Sequence, residues 1–313
     1  MRTVLQNTKA RIGVVILVLF AIMSFIGPTV LSALGRTADQ VDYSALGAPP
    51  SMEHELGTTQ TGGDVLNQLV FGARTSFVTG LLVALFVVVL STIVGLAGGY
   101  AGGRVDSAVS SLTNIALTIS GFPLLVVIAT YIPNVSVLGT AVAIGVVSWP
   151  GPARAIRAQT LSLRSREYVI AMKMVGEKPF RIMRSEILPH LVPILSSTAI
   201  GAVGAGIVSQ AGLALLGLGG GQVTWGTMIA EGQQGGAFTQ NQWWWFLPPG
   251  LAIVLIVMSL VLINFGIDEY TNPRLQGARR ARRRRRVTPV GGGSSATPSP
   301  SHSDRSGNDA QRA

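Results

Sequence analysis

Cysteine is absent from the 313 residues, which excludes disulfides, thiolate metal sites and a cysteine nucleophile. Charge is scarce. Asp, Glu, Lys and Arg make up 12% of the chain, about half the roughly 25% of an average soluble domain. With 48% hydrophobic residues and a mean hydropathy of +0.47, the composition excludes both an ordinary water-soluble fold and a wholly disordered chain. No Gly-x-x-x-x-Gly-Lys-Ser/Thr is present, so the chain has no P-loop for ATP. Neither a Gly-x-Ser-x-Gly elbow nor a His-Glu-x-x-His occurs. The three histidines, His54, His190 and His302, lack metal-ligand spacing. Acids and bases are missing from the apolar runs, where ion-coupled carriers keep them. An enzyme and an ion-coupled carrier are both disfavoured, and no cofactor or metal site is expected on this chain.

Long apolar runs are present instead. Five stretches lack Asp, Glu, Lys and Arg: 12–35, 75–103, 107–153, 187–230 and 232–267. A bilayer core of about 30 Å takes about 20 apolar residues per helix. The third run holds two spans, divided at Tyr131-Ile-Pro-Asn134. The fourth and fifth hold one each, separated by the Gly-rich, polar segment 217–243. The sequence therefore predicts an all-α, polytopic membrane protein. Its six transmembrane helices are placed near 12–34, 76–100, 108–130, 135–153, 191–215 and 244–267. A barrel would alternate apolar and polar residues, and the stretch 81–90 does not. The first span has a basic start, but its apolar stretch is long for a signal peptide and no Ala-x-Ala site follows. It is expected to be retained.

Charge sets the expected orientation. With 1–11, 101–107, 154–190 and 268–313 on one side, that side carries 22 of the 24 Lys and Arg. The positive-inside rule puts it in the cytoplasm, with both termini. In 154–190, eight bases alternate with Glu167, Glu177, Glu186 and apolar residues, which predicts short amphipathic helices parted by Gly176 and Pro179. Such helices either rest on the membrane surface or dock a cytoplasmic partner. The block Arg279-Arg-Ala-Arg-Arg-Arg-Arg-Arg286 precedes a Gly/Ser/Pro-rich end. The tail 276–313 is expected to be disordered and basic, touching anionic lipid rather than nucleic acid.

Small residues recur at helical spacing: Gly95 with Gly99, Gly98 with Gly102, and Gly201-Ala-Val-Gly204-Ala-Gly206. They serve either bundle packing or a pathway lined by the fifth span. Ser209 and Gln210 are polar within that span; Gln210 is either a pathway group or half of an interhelical hydrogen bond. The Trp243-Trp-Trp245 run is expected at the membrane interface.

Taken in order, several blocks resemble the permeases of ABC importers for dipeptides and oligopeptides, specifically the second permease of such systems. Glu167-Tyr-Val-Ile-Ala-Met-Lys-Met-Val-Gly176, followed by Leu188-Pro189, resembles their cytoplasmic "EAA" loop, and Leu161-Ser-Leu-Arg-Ser-Arg-Glu-Tyr168 leads into it. His54-Glu-Leu-Gly-Thr58 with Gly62 and Asp64 resembles their external block. Gly72-Ala-Arg-Thr-Ser76, Gly98-Gly-Tyr-Ala-Gly-Gly-Arg-Val-Asp106, Ala211-Gly-Leu-Ala-Leu-Leu-Gly-Leu-Gly219, Trp225-Gly226 and Asn272-Pro-Arg-Leu275 fit as well. The likeness covers about 12–275. Departures are definite. Ile170 and Met172 replace the acid and second alanine of Glu-Ala-Ala. Glu186 and His190 flank Ile-Leu-Pro in place of His and Asn. Thr59 and Gly63 replace Asp and Arg, and Gln210 replaces a common Glu.

The resemblance implies an ABC type I importer permease fold. It implies a cytoplasmic N-terminus at 1–11, a first span at 12–34, an extracytoplasmic loop at 35–75 and a permease core at 76–275. That core carries the coupling loop 154–190 and the external loop 217–243. Implied partners are a second homologous permease, two ATP-binding cassette subunits that hold ATP and Mg, and an extracytoplasmic substrate-binding protein. All would meet in the plasma or inner membrane. Coupling contacts are expected from Arg166, Glu167, Tyr168, Ala171, Met172, Met174, Gly176, Arg181, Leu188 and Pro189. Small Ala171 and Gly176 would permit close approach, and Tyr168, Met172 and Met174 would fill a socket. Gly201, Gly204, Ser209 and Gln210 are the candidates for pathway or packing. The cargo would be a short peptide; nickel, haem or another small solute, or a channel without ATP coupling, are the alternatives.

Overall fold

The computed structural model describes residues 8–131 and 136–271, with side chains through 267. The expected turn at 132–134, the motif at 272–275 and the basic tail lie outside the described residues. Among the described residues the secondary structure is helical apart from two isolated bridges, Val41 with Gly63 and Thr58 with Asp64. The helices are α1 Thr8–Phe25, α2 Gly27–Ala33, α3 Val65–Ala101, α4 Gly103–Thr118, α5 Gly121–Tyr131 and α6 Val137–Ser148. They continue with α7 Pro150–Arg164, α8 Glu167–Met174, α9 Pro179–Ile182, α10 Leu188–Leu215, α11 Trp225–Gln234 and α12 Trp243–Thr271. A π-helical turn, Met183–Ile187, joins α9 to α10.

Four helical segments are long and apolar enough to cross a membrane: Thr8–Ala33, Val65–Ala101, Pro179–Leu215 and Trp243–Ile267. A fifth exists if α4 and α5, bent by 85°, count as one broken span. Five of the six expected crossings map onto these elements in order, with their limits redrawn, and the sixth, 135–153, falls on a shorter apolar helix. The expected helix 108–130 breaks at Ile119-Ser120. Pro123, in the first turn of α5, has no N–H to give to Ile119 and so cannot carry α4 onward. The expected helix 135–153 is divided by Pro150, which opens α7. That leaves α6 with 12 residues, about 18 Å of rise, short of a full crossing by itself.

α3 is the central element. It starts well before the charge-free run, because Asp64 caps it by accepting from the Asn67 N–H at 3.0 Å, and because Arg74 points outward. Its 37 residues rise about 55 Å, so it projects beyond the bilayer core. It ends at Gly102 and Gly103, whose φ values of +69° and +54° turn the chain sharply into α4. Helices α1, α6, α7 and α10 pack on α3, and α1 also lies along α12. The predicted small-residue pair sits at the close α3–α7 seam. A Cβ on Gly99 would lie 2.6 Å from Thr160 Cβ, and one on Gly95 would lie 2.9 Å from the Ala153 carbonyl oxygen. Gly80 and Gly206 let α3 and α10 approach in the same way.

A second, smaller core supports 154–190. Ile156, Val169, Ile182, Ile187 and Leu191 are all fully buried together. Each buried side chain of this size stabilises by about 1.5–3 kcal/mol relative to exposure. The segment is therefore a folded unit that joins α7 to α10. The π turn lies at that junction, close to Pro189 and Pro193, which lack backbone donors.

Candidate coupling surface and pathway

Helix α8 begins after Arg166 and carries Glu167 in its first turn and Lys173 in its last, the arrangement a helix dipole favours. Its inner side is set by Val169 and Met172, three residues apart. Val169 is fully buried, and Met172 is half-buried against the same cluster. The outer side is set by Ile170 and Met174, four residues apart, with exposed Ala171 between them. Met174, Val175 and Phe180 are 82%, 84% and 69% exposed, and Tyr168 is partly so. This is a large apolar surface on an element rich in charge.

Gly176 ends α8. Its φ is +84°. Its N–H donates to the Lys173 carbonyl at 3.1 Å, and the Glu177 N–H donates to the Met172 carbonyl at 3.1 Å. These two bonds make a Schellman stop. No atom of the chain lies within 4 Å of a Cβ built there, so the need for glycine here is conformational. Arg181 is exposed and pairs with Glu177 at 3.4 Å. Tyr168 stacks on His190 with ring centroids 5.9 Å apart. Pro189 is exposed and Leu188 half-buried at the start of α10.

Nearly all the predicted coupling residues therefore sit on one contiguous segment. Met172 departs from the expectation of an outward, socket-filling side chain. Ile170, Val175 and Phe180 present apolar surface that the motif did not single out. The three- and four-residue spacing within 167–175 is the signal that separates the two sides. Two polar contacts tie this segment to the bundle. Arg157 of α7 meets Asp106 of α4 at 2.5 Å, and Arg164 Nη1 donates to the Tyr100 carbonyl at the end of α3 at 3.1 Å.

The four pathway candidates on α10 do not share a face. Gly201 is exposed, with nothing within 4 Å of an added Cβ. Gly204 is buried, and a Cβ added there would lie 3.6 Å from Leu260 Cδ1. Ser209 is half-buried. Gln210 is buried and donates through Nε2 to Thr79 Oγ1 of α3 at 3.1 Å. Of the two readings of Gln210, the geometry supports the interhelical hydrogen bond.

The block expected to be external folds into a cap. The Val65 N–H donates to the Gly57 carbonyl, and the Thr58 N–H to the Ala48 carbonyl. His54 lies between two acids, with Nδ1 2.9 Å from Asp64 and Nε2 3.5 Å from Asp42. The hydrogen bond to Asp64 raises the His54 pKa above its ordinary value, with Asp42 adding to the effect. Hydrogen bonds from Ser44 lower the Asp42 pKa. The two departures in this block are accommodated locally. Thr59 Oγ1 accepts from the Gly63 N–H at 2.9 Å, and a side chain at Gly63 would meet Gln68. The tryptophans divide. Trp243 is 49% exposed, as an interface residue would be, but Trp245 is 3% exposed and Trp244 donates to the Thr58 carbonyl at 3.3 Å. The expected three-residue belt is thus one exposed indole, one that holds the cap and one, Trp245, buried against Gly232 of α11 and Gly235 just after it. The segment 217–243 contains α11, which the sequence reading did not place. Trp225 anchors it, fully buried, donating through Nε1 to the Leu69 carbonyl and through its N–H to Ser76.

Residues 88–277 match the family described as binding-protein-dependent transport system inner membrane component. The chain is 32% identical over 279 residues to the dipeptide transport system permease protein DppC of Bacillus subtilis, covering 88% of this chain and 85% of that one. It is 29% identical over 265 residues to a probable D,D-dipeptide transport system permease protein, DdpC, of Escherichia coli, covering 84% and 87%. Over 261 residues it is 29% identical to the oligopeptide transport system permease protein OppC of Lactococcus lactis, covering 82% and 88%. Among solved structures it is similar in fold to a chain of the inward-facing MetNI methionine ABC transporter. The TM-score is 0.51 at 22% sequence identity, covering 65% of this chain and 94% of that one.

Proposed function

Because this chain belongs to the family of binding-protein-dependent transport system inner membrane components, a family of multi-pass membrane permeases, we propose that it carries short peptides inward as the second permease of an ATP-driven importer. A homologous permease completes the pathway. Two ATP-binding subunits hold ATP and Mg and dock on α8 and α9 from the cytoplasm. A binding protein delivers the peptide to the external cap. Both termini are cytoplasmic.

One observation carries the coupling assignment: the exposed apolar side of Ile170, Met174, Val175 and Phe180 on a segment held rigidly by its own buried cluster. A rigid knob of this kind, seated in a cleft of an ATPase, converts closure of the ATPase dimer into movement of α7 and α10. Ile170 offers no carboxylate, so the docking contact is mainly apolar, with Arg166, Glu167 and Arg181 at its edge. The peptide cargo is supported by the DppC and OppC relatives.

The test is a mild-detergent pull-down of the tagged chain, followed by ATPase assay with and without peptide-loaded binding protein. Recovery of a second permease and ATP-binding subunits, with hydrolysis raised by loaded binding protein, is the expected result. A chain that comes down alone, under conditions that preserve a known importer, would overturn it.

A further inference from the structure

Behind the proposed coupling helix lies a cleft of about 630 Å³, between the end of α3, the start of α4, and α7 to α9. This size is within the usual range of ligand sites. One wall is apolar, formed by Ala97, Ala101 and Val105. It continues the apolar surface of α3, and Val105 is 47% exposed. The other side is cationic. Lys173 Nζ stands 4.9 Å from the centroid of the Tyr100 ring, and Arg164 is fixed by its bond to the Tyr100 carbonyl.

Among the described residues no carboxylate lies within 4 Å of either cation, and Asp106 acts on Arg164 only at longer range. Glu177, which also lines the cleft, is paired with Arg181, and nearby Asp106 is paired with Arg157. Two cations, against the one carboxylate of Glu177, thus face a cavity whose opposite wall is hydrocarbon. Tyr100 stands between them, a residue type enriched at the membrane–water boundary. The chemistry that satisfies both sides is an anion with an apolar tail.

We infer that this cleft binds the headgroup of one anionic phospholipid of the cytoplasmic leaflet. The phosphate lies against Lys173 and Arg164, and an acyl chain lies along Ala97, Ala101 and Val105. Basic pockets at the cytoplasmic ends of membrane helices take lipid headgroups in this way. The lipid bridges α3 to α8, so the charge of the membrane bears on the element that meets the ATPase. The inference rests on the topology proposed above, in which 154–190 faces the cytoplasm.

The experiment uses the full chain assembled with its partners in nanodiscs of equal phosphatidylcholine and phosphatidylglycerol. Native mass spectrometry reads the lipids retained on release. Lys173→Gln is expected to weaken retention of one phosphatidylglycerol about fivefold, the loss of one near-surface cation, while Lys173→Arg retains it. Arg164→Gln, which also removes a backbone contact, is expected to do the same. Gln at Arg282 to Arg286 should leave this lipid in place. Unchanged retention in Lys173→Gln and Arg164→Gln overturns the inference, as does displacement of the lipid by soluble glycerol phosphate at equal concentration. Orientation is read separately, by maleimide labelling of Ser185→Cys in a chain that has no other cysteine. Labelling from outside overturns the topology itself; labelling from inside with unchanged lipid overturns the lipid site alone.

Discussion

Gln210 and Thr79 make a pair whose two partners are unequal, and that inequality is measurable. Gln210 Nε2 donates to Thr79 Oγ1 at 3.1 Å across a buried α10–α3 seam. The Thr79 hydroxyl in turn donates to the Thr75 carbonyl at 2.9 Å. Replacing Gln210 by Leu removes one hydrogen bond but leaves Thr79 bonded to its own helix, at a cost of about 0.5–1.5 kcal/mol. Replacing Thr79 by Val strands a buried amide donor, at a cost of about 1–3 kcal/mol. With both partners apolar the penalty should shrink again, so the double variant should be more stable than Thr79→Val alone. The coupling energy should fall near the roughly 0.6–1.7 kcal/mol found for polar pairs inside membranes. The assay is reversible denaturation of the purified chain in mixed micelles, read by Trp fluorescence. Additive costs, or a Gln210→Leu variant less stable than Thr79→Val, would refute the pairing and return Gln210 to the pathway.

Three further outcomes are expected. Gly176→Val should lower stability more than Gly176→Asn, because Asn enters the left-handed region far more readily than a β-branched residue; thermal unfolding of the two variants gives the order. Asp106→Asn should cost about 1–2 kcal/mol by stranding Arg157, and exchanging the two charges should restore most of it; both are read from denaturation midpoints. His54 has a raised pKa, so its contribution to the external cap is fully present below its ordinary value of 6.5 and is lost as pH rises through the raised value. Asp42, with a lowered pKa, acts in the opposite sense, its contribution lost as pH falls below 3.8. Protection of 34–64 against hydrogen exchange, corrected for base-catalysed intrinsic exchange, should therefore fall as pH rises above 6.5, and His54→Gln should flatten that fall.

Much of the fold is legible in the sequence because lipid restricts the choices. Apolar runs of the length of α1–α2, α3, α10 and α12 have no other means of satisfying their backbones in a bilayer. The break at Gly176 and Pro179 is equally legible, since one residue favours a left-handed stop and the other cannot continue a hydrogen-bonded turn. The limits of α3 are not legible from charge, because a single outward Arg74 does not interrupt a helix and the cap at Asp64 lies beyond the apolar run. The bend between α4 and α5 turns on one missing donor at Pro123, a local event inside a long apolar stretch. For the site, the motif at 167–176 locates the right segment but not its sidedness. Met172 and Met174 look alike in sequence, yet one packs inward beside Val169 and the other stands out. Gln210 shows the same limit, because its partner lies 131 residues away, and only folding brings the two together.

The claim that α8 and α9 are the ATPase-docking surface is tested most directly by cross-linking in the assembled importer. The absence of cysteine from the chain makes each introduced thiol unique. A cysteine at exposed Ala171, labelled with a maleimide–benzophenone photocross-linker in inverted vesicles, should link on irradiation to an ATP-binding subunit, whereas one at exposed Val208 on α10 should not. ATP-driven release of labelled peptide, loaded with its binding protein into the vesicle lumen, should fall with the extent of linkage. Failure of Ala171→Cys to link, in vesicles where the ATP-binding subunits co-purify with the chain, would contradict the account.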